Sequence, residues 1–155
     1  MRNFHQFVQG FSNFRSCYYD AENDLYNTLR QGQNPHALVI ACSDSRVDPA
    51  LLMGCNPGDI FVVRNVANLV PPCERAASGD AVAAALEYGV RHLRVEHIIV
   101  LGHSDCGGIH ALLDPSMTAG DSHIPSWIAR AEPALRRLHP EILGEDMATQ
   151  RRHCE

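Results

Sequence analysis

The amino-acid sequence predicts an α/β protein of three layers, α/β/α, with a mainly parallel central sheet and an N-terminal helical arm. Two observations predict this. The apolar runs Ala37-Leu38-Val39-Ile40-Ala41 and Ile98-Ile99-Val100-Leu101 do not alternate with polar residues, the pattern of strands covered on both faces. Segments with helical spacing lie before, between and after them, so strands alternate with helices, and right-handed crossovers then make the sheet parallel.

The elements follow in order. Residues 4–30 carry apolar groups at Phe4, Phe7, Val8, Phe11, Phe14, Tyr18, Leu25 and Leu29, spaced mostly three or four apart, which predicts an amphipathic helical arm within residues 1–35. Gly32-Gln33-Asn34-Pro35 breaks it. Strands are expected at about 36–42 and 59–65, the second introduced by the turn Asn56-Pro57-Gly58-Asp59. Pro71-Pro72 marks a loop, and Ser78-Gly79-Asp80 opens an alanine-rich helix that runs to about Leu93. A third strand is expected at 96–101. Gly107-Gly108 starts a helix near 109–113, another is expected over 126–138, and one more begins near Pro140. Residues 36–155 are thus expected to form the α/β domain.

Composition sets the outer bounds. At 155 residues the chain has the size of one domain, with ordinary globular proportions of 45% hydrophobic and 20% charged residues. A net charge of −5, with no basic run longer than Arg136-Arg137 or Arg151-Arg152, gives no general attraction to nucleic acid or anionic membrane. No apolar stretch approaches the roughly 20 residues of a spanning helix. The expected partner is a small molecule, not nucleic acid or membrane. Met1-Arg2-Asn3 leads into His5, Gln6 and Gln9 with no apolar segment of the secretory kind, so the expected location is cytoplasmic. There, grouped cysteine and histidine point to metal binding or catalysis more often than to disulfides.

Cys42 and Asp44 close the first apolar run, and His103 and Cys106 follow the other. In an open parallel sheet, ligands gather beyond the carboxyl ends of the strands, so these side chains are expected to converge. Zn²⁺ prefers thiolate sulfur at about 2.3 Å and imidazole nitrogen at about 2.0–2.1 Å, and catalytic sites leave one position open. Cys42, His103 and Cys106 supply a set of that kind. Taken singly, either cysteine reads more readily as a small buried hydrophobe than as a ligand. Cys17, Cys55, Cys73 and Cys154 fit no ligand spacing, and the other histidines read as surface residues.

Four segments then carry a resemblance. Ala41-Cys42-Ser43-Asp44-Ser45-Arg46-Val47, Phe61-Val62-Val63-Arg64-Asn65-Val66-Ala67-Asn68, Glu87-Tyr88 and Gly102-His103-Ser104-Asp105-Cys106-Gly107-Gly108 resemble the β-class carbonic anhydrases in order and spacing. The resemblance implies a zinc enzyme that interconverts carbon dioxide and bicarbonate through zinc-bound hydroxide, with Cys42, His103 and Cys106 as metal ligands. Chemistry gives Asp44 and Arg46 a role independently. Two thiolates donate more charge to zinc than imidazoles and weaken its effect on bound water, so a nearby carboxylate acceptor held by a planar guanidinium would help. In the family's closed state, with Arg46 released, Asp44 itself becomes the fourth ligand.

By the same resemblance, Gln33, Phe61, Val66, Tyr88 and the backbone N–H of Gly107 belong to the substrate pocket, with Gln33 reaching into a neighbouring subunit. That implies a homodimer or higher homo-oligomer, and the aromatic N-terminal helix offers apolar surface for it. A tryptophan that builds an inhibitory bicarbonate site in some members is replaced by Val39, which together with Pro71-Pro72 suggests the plant-type branch and the open, water-bound site. Resembling proteins continue with further strands, one bearing a Gly-Trp-Tyr-like segment. Trp127 is the single tryptophan here, so residues 36–155 read as a zinc-binding domain lacking those last strands, with an exposed sheet edge. Two other functions share the scaffold: hydrolysis of a CO₂ analogue such as carbon disulfide, and a non-catalytic zinc-binding dimerisation module.

Overall fold

The structure is a computed structural model that describes residues 3–19, 24–72, 79–138 and 140–155. Met1, Arg2, Cys73, Ser78 and His139, all invoked in the sequence reading, lie outside the described residues. Two compact units separate at Asn34 and Pro35.

In the first unit, α1 spans Phe4–Tyr18 and α2 spans Asp24–Leu29, two helices where the periodicity predicts one. Asn3 caps α1 reciprocally with Gln6: its side chain accepts the Gln6 N–H at 3.1 Å, and the Gln6 side chain accepts the Asn3 N–H at 2.9 Å. Phe14, Tyr18, Tyr19 and Tyr26 stack edge-to-face or tilted, with centroids 5.0–6.0 Å apart. Phe4, Phe7 and Phe11 remain exposed.

The second unit is built on a three-stranded sheet in the order β2-β1-β3, with both pairs parallel. β1 spans Ala37–Cys42, β2 spans Ile60–Asn65 and β3 spans His97–Leu101. Every residue of β1 is buried, because it has a strand on each side and a layer on each face. The similar apolar run of β3 behaves differently. Ile98 and Val100 are 51% and 55% exposed, since β3 is an edge of the described sheet and no described element covers that face.

α3 (Pro49–Met53), which the sequence reading does not anticipate, has Asp48 as its N-cap, proline at its first position and Gly54 in the left-handed conformation at its end. α4 (Ala81–Tyr88) is capped by Asp80 and continues as a π-turn through Gly89–Leu93. α5 spans Gly107–Leu113. The helix expected over 126–138 is broken into α6 (Ile124–Ile128), a 3₁₀ turn and α7 (Glu132–Leu135). Pro133 explains the break: it lacks an N–H for the Ala129 carbonyl, and its ring crowds that carbonyl. α8 (Pro140–Leu143) and α9 (Met147–Cys154) follow, and α9 packs on α5.

Candidate metal centre

Ala41 pairs in register with Leu101, so the carboxyl ends of β1 and β3 open side by side. Cys42 ends β1, His103 lies two residues beyond β3, and Cys106 is the N-cap of α5. The potential ligand atoms of Cys42, His103 and Cys106 all lie within 4.8 Å of one another, with the two sulfurs 3.9 Å apart.

The histidine tests whether these residues fit a metal. Its Nδ1 is 2.8 Å from the Ser104 carbonyl, which can only accept, so the proton sits on Nδ1 and the lone pair on Nε2. Nε2 is buried and has no hydrogen-bond partner. An orphaned ring nitrogen in the interior is costly, and one that shares its space with two thiols is a donor set suited to Zn²⁺. The residues fit zinc.

The two sulfurs differ in acidity. Burial pushes the Cys42 thiol up, but His103, where it is protonated, and the backbone N–H groups of Asp44 and Ala67 outweigh it and bring it below its ordinary range. Burial pushes the Cys106 thiol up as well, and the N–H groups of Ile109 and Gly108 offset this only in part. Burial lowers the His103 pKa, yet the facing Cys42 and the Ser104 carbonyl raise it overall.

Asp44 faces the Arg46 guanidinium as a fork, with Nε to Oδ1 at 2.9 Å and Nη2 to Oδ2 at 2.7 Å. Its Oδ1 also accepts the Arg46 backbone N–H at 2.9 Å. Arg46 thereby holds the Asp44 carboxyl well below the usual carboxylate range.

Two neighbours on β2, to which the sequence reading assigns no role, shape the surroundings. Arg64 donates to the carbonyls of Cys42 at 2.9 Å, Asp44 at 2.6 Å and Val47 at 3.3 Å, and pairs with Asp48. Asn65 closes its own turn through the N–H and carbonyl of Leu69, at 2.8 and 3.0 Å. Within that turn Ala67 and Asn68 adopt left-handed backbone, with φ of 63° and 44°. Gly108 faces it so closely that a Cβ there would lie 2.7 Å from the Ala67 Cβ and 2.9 Å from Val66 Cγ1. Their only signal in the sequence is their place inside a quoted motif.

An open cleft of about 390 Å³ borders the site. Cys42, Asp44, Val66 and Gly107 line it, together with Met117, Thr118, Asp121 and Ile124, which the sequence reading does not single out. Phe61 and Tyr88 are not among its lining residues; they pack on each other with centroids 5.8 Å apart, and Tyr88 stacks on His92. Gln33 belongs to the first unit. Cys154 packs against the cluster of Cys42, Ala67, Cys106 and Ile109, a position its spacing does not reveal.

A parallel α/β sheet with a Cys-His-Cys group at its carboxyl edge defines a class of metal-binding α/β proteins. Residues 37–155 match the family described as carbonic anhydrase. The chain is 39% identical over 149 residues to Beta carbonic anhydrase 3 of Arabidopsis thaliana, covering 94% of this chain and 57% of that protein. It is also 39% identical over 132 residues to a carbonic anhydrase of Synechococcus elongatus, covering 84% and 47%. Among solved structures, it superposes on the β-carbonic anhydrase CcaA with a TM-score of 0.86 at 36% identity, covering 97% of this chain and 72% of that one. The chain belongs to the carbonic anhydrase family, in its β class. It spans about half the length of these two relatives.

Proposed function

We propose that this protein catalyses the reversible hydration of carbon dioxide to bicarbonate, with zinc held by Cys42, His103 and Cys106. One observation carries the reading: the two thiols and the orphaned His103 Nε2 meet beside a carboxylate clasped by Arg46. Bound there, zinc would supply Lewis acidity that lowers the pKa of water toward about 7, a value established for the three-histidine carbonic anhydrases rather than for this ligand set.

The remaining roles belong to the chain. Asp44, ionised at neutral pH, is acceptor-only, so it can take the hydrogen bond of a water or of a bicarbonate hydroxyl and fix which oxygen carries the proton. Arg46 orients that carboxylate and, while paired, keeps it from serving as a ligand, which favours the open site over the closed one. Val66 gives the cleft an apolar wall suited to carbon dioxide, and Gly107 offers it a backbone N–H.

Gln33, Phe61 and Tyr88 are assigned to a pocket completed by a second copy of the chain, in a homodimer or larger assembly. The exposed Phe4, Phe7 and Phe11 support this, and Sordaria macrospora β-carbonic anhydrases are described as tetrameric. Reduced, grouped thiols suit the cytoplasm, and no helix among the described residues is long and apolar enough to cross a membrane.

Stopped-flow hydration of carbon dioxide by zinc-loaded protein is the test. Turnover is expected, and Asp44→Ala should keep zinc but lose about 10²–10⁴-fold in rate. A zinc-loaded protein without turnover would overturn the enzymatic reading. Sedimentation velocity checks assembly, and a fully active monomer would remove Gln33, Phe61 and Tyr88 from the pocket.

A further inference from the structure

Near the end of α9, Arg151 and Glu155 form a bracket on the loop that carries His103 and Cys106. The Glu155 carboxylate, only 7% exposed, accepts the Cys106 backbone N–H at 2.9 Å. Cys106 is buried and is the N-cap of α5, so this N–H has no place in the helical ladder, and Glu155 satisfies it. The backbone approach is close as well: a Cβ on Gly102 would lie 2.6 Å from the Glu155 carbonyl oxygen.

Arg151 extends the bracket. It pairs with Glu155 at 3.4 Å and with the Asp105 carboxylate at 2.5 Å. Asp105 is the residue of this loop with left-handed backbone, φ 57°. Its side chain is 60% exposed, so packing does little to hold it, and Arg151 is its anchor. The Asp105 carbonyl in turn accepts from Arg46 Nη2 at 3.0 Å, and the same Nη2 donates to Asp44 Oδ2 at 2.7 Å. An unbroken series of polar contacts therefore joins α9 to the carboxylate beside the metal ligands.

We propose that Glu155 and Arg151 are positioning residues of this site. Glu155 fixes the Cys106 ligand through its backbone, and Arg151, by holding Asp105, fixes Arg46 and with it Asp44. This rests on the reading of Cys42, His103 and Cys106 as zinc ligands. Partners of that outer kind are worth about 10–100-fold in metal affinity where they hold a ligand. Small misplacements of a reacting group cost on the order of 10²-fold in rate. The two residues therefore have separable signatures.

The experiment measures zinc affinity by chelator competition, the visible spectrum of the cobalt(II)-loaded protein, and kcat and KM for carbon dioxide hydration. Glu155→Ala is expected to weaken zinc binding about 10–100-fold and to change the cobalt spectrum. Glu155→Gln, which keeps an acceptor oxygen for the Cys106 N–H, should recover most of the affinity. Arg151→Ala should leave zinc affinity near that of the parent while kcat falls at least about tenfold with a smaller change in KM, and Arg151→Lys should restore part of it. Where Glu155→Ala does not fold, Glu155→Asp carries the test, because it keeps the charge but withdraws the carboxylate by one methylene. Parent-like affinity and cobalt spectra in Glu155→Ala, or in Glu155→Asp where that variant carries the test, together with parent-like kcat in Arg151→Ala, overturn the proposal. A parent that binds zinc but does not hydrate carbon dioxide overturns the enzymatic reading alone, and the affinity and cobalt measurements then decide this one; a parent that binds no metal overturns both.

Discussion

The loop after β1 and the loop after β3 deliver candidate metal ligands to the same place by different means. The first is held from the adjacent strand: Arg64 on β2 gathers the carbonyls of Cys42, Asp44 and Val47, and the Asp44 side chain accepts the N–H of Arg46, two residues on. Its thiol lies among donors and titrates low. The second loop is held from far along the chain, by Glu155 on the Cys106 N–H, and passes through left-handed backbone at Asp105. Its thiol is more deeply buried and titrates high. The contrast teaches that two ligands of one chemical type need not share an environment. The loop that carries Asp44 is the one gripped from its neighbouring strand.

Removing either thiol tests whether both loops are needed, and it should give the largest effect. The parent is expected to hold about one zinc per chain, and Cys42→Ser and Cys106→Ser should each lose most of it, measured by elemental analysis of purified protein. Full zinc retention in both variants would sink the assignment of the site.

The next effect sharpens the comparison at α5. Gly107 and Gly108 are neighbours in the second loop's helix, yet a Cβ on Gly107 meets nothing within 4 Å, whereas one on Gly108 collides with the Val66–Ala67 turn. Gly108→Ala should destabilise the fold by about 1–3 kcal/mol, and Gly107→Ala should cost much less in chemical denaturation. Equal losses in the two would show that the turn yields freely.

The smallest effect concerns the contacts behind the turn that carries Val66. Trp127 Nε1 donates to the Val66 carbonyl at 2.8 Å, Arg130 lies over the Trp127 ring at 4.5 Å, and Arg130 pairs with the α4 cap Asp80 at 2.9 Å. The Ala83 N–H, chiefly, with Arg130 and the Val82 N–H, outweighs burial and holds the Asp80 carboxyl below its usual range. A folded pKa below the unfolded value of about 3.9 means that this stabilisation is present above about pH 4 and lost as pH falls through the folded pKa. Asp80→Ala should therefore cost about 1 kcal/mol at pH 7 and progressively less below pH 4, in thermal unfolding followed against pH. A deficit that does not shrink in acid would remove the carboxylate charge from the explanation.

Much of this was legible in the residues. The non-alternating run of β1 announced a buried parallel strand, and the spacing of Cys42, Asp44, His103 and Cys106 after two such runs announced a shared site, because strand polarity sends both loops to one edge. The helix over 126–138 misled, since Pro133 interrupts a pattern whose apolar spacing looks continuous. Asp105 carried no signal, because its place depends on a backbone angle, on a carbonyl that any residue would possess and on an ion pair with the distant Arg151.

By itself, then, the sequence determined most strand and helix types, the family, and which side chains could carry metal chemistry, since these depend on local pattern and on functional groups that few residues possess. Tertiary structure alone decided that His103 Nε2 is left without a hydrogen bond, that Cys42 and Cys106 titrate in opposite directions, and that Arg64, Arg151 and Glu155 brace the two loops. Those properties arise from burial and from contacts between residues as many as 64 positions apart, which pattern within a short window cannot encode.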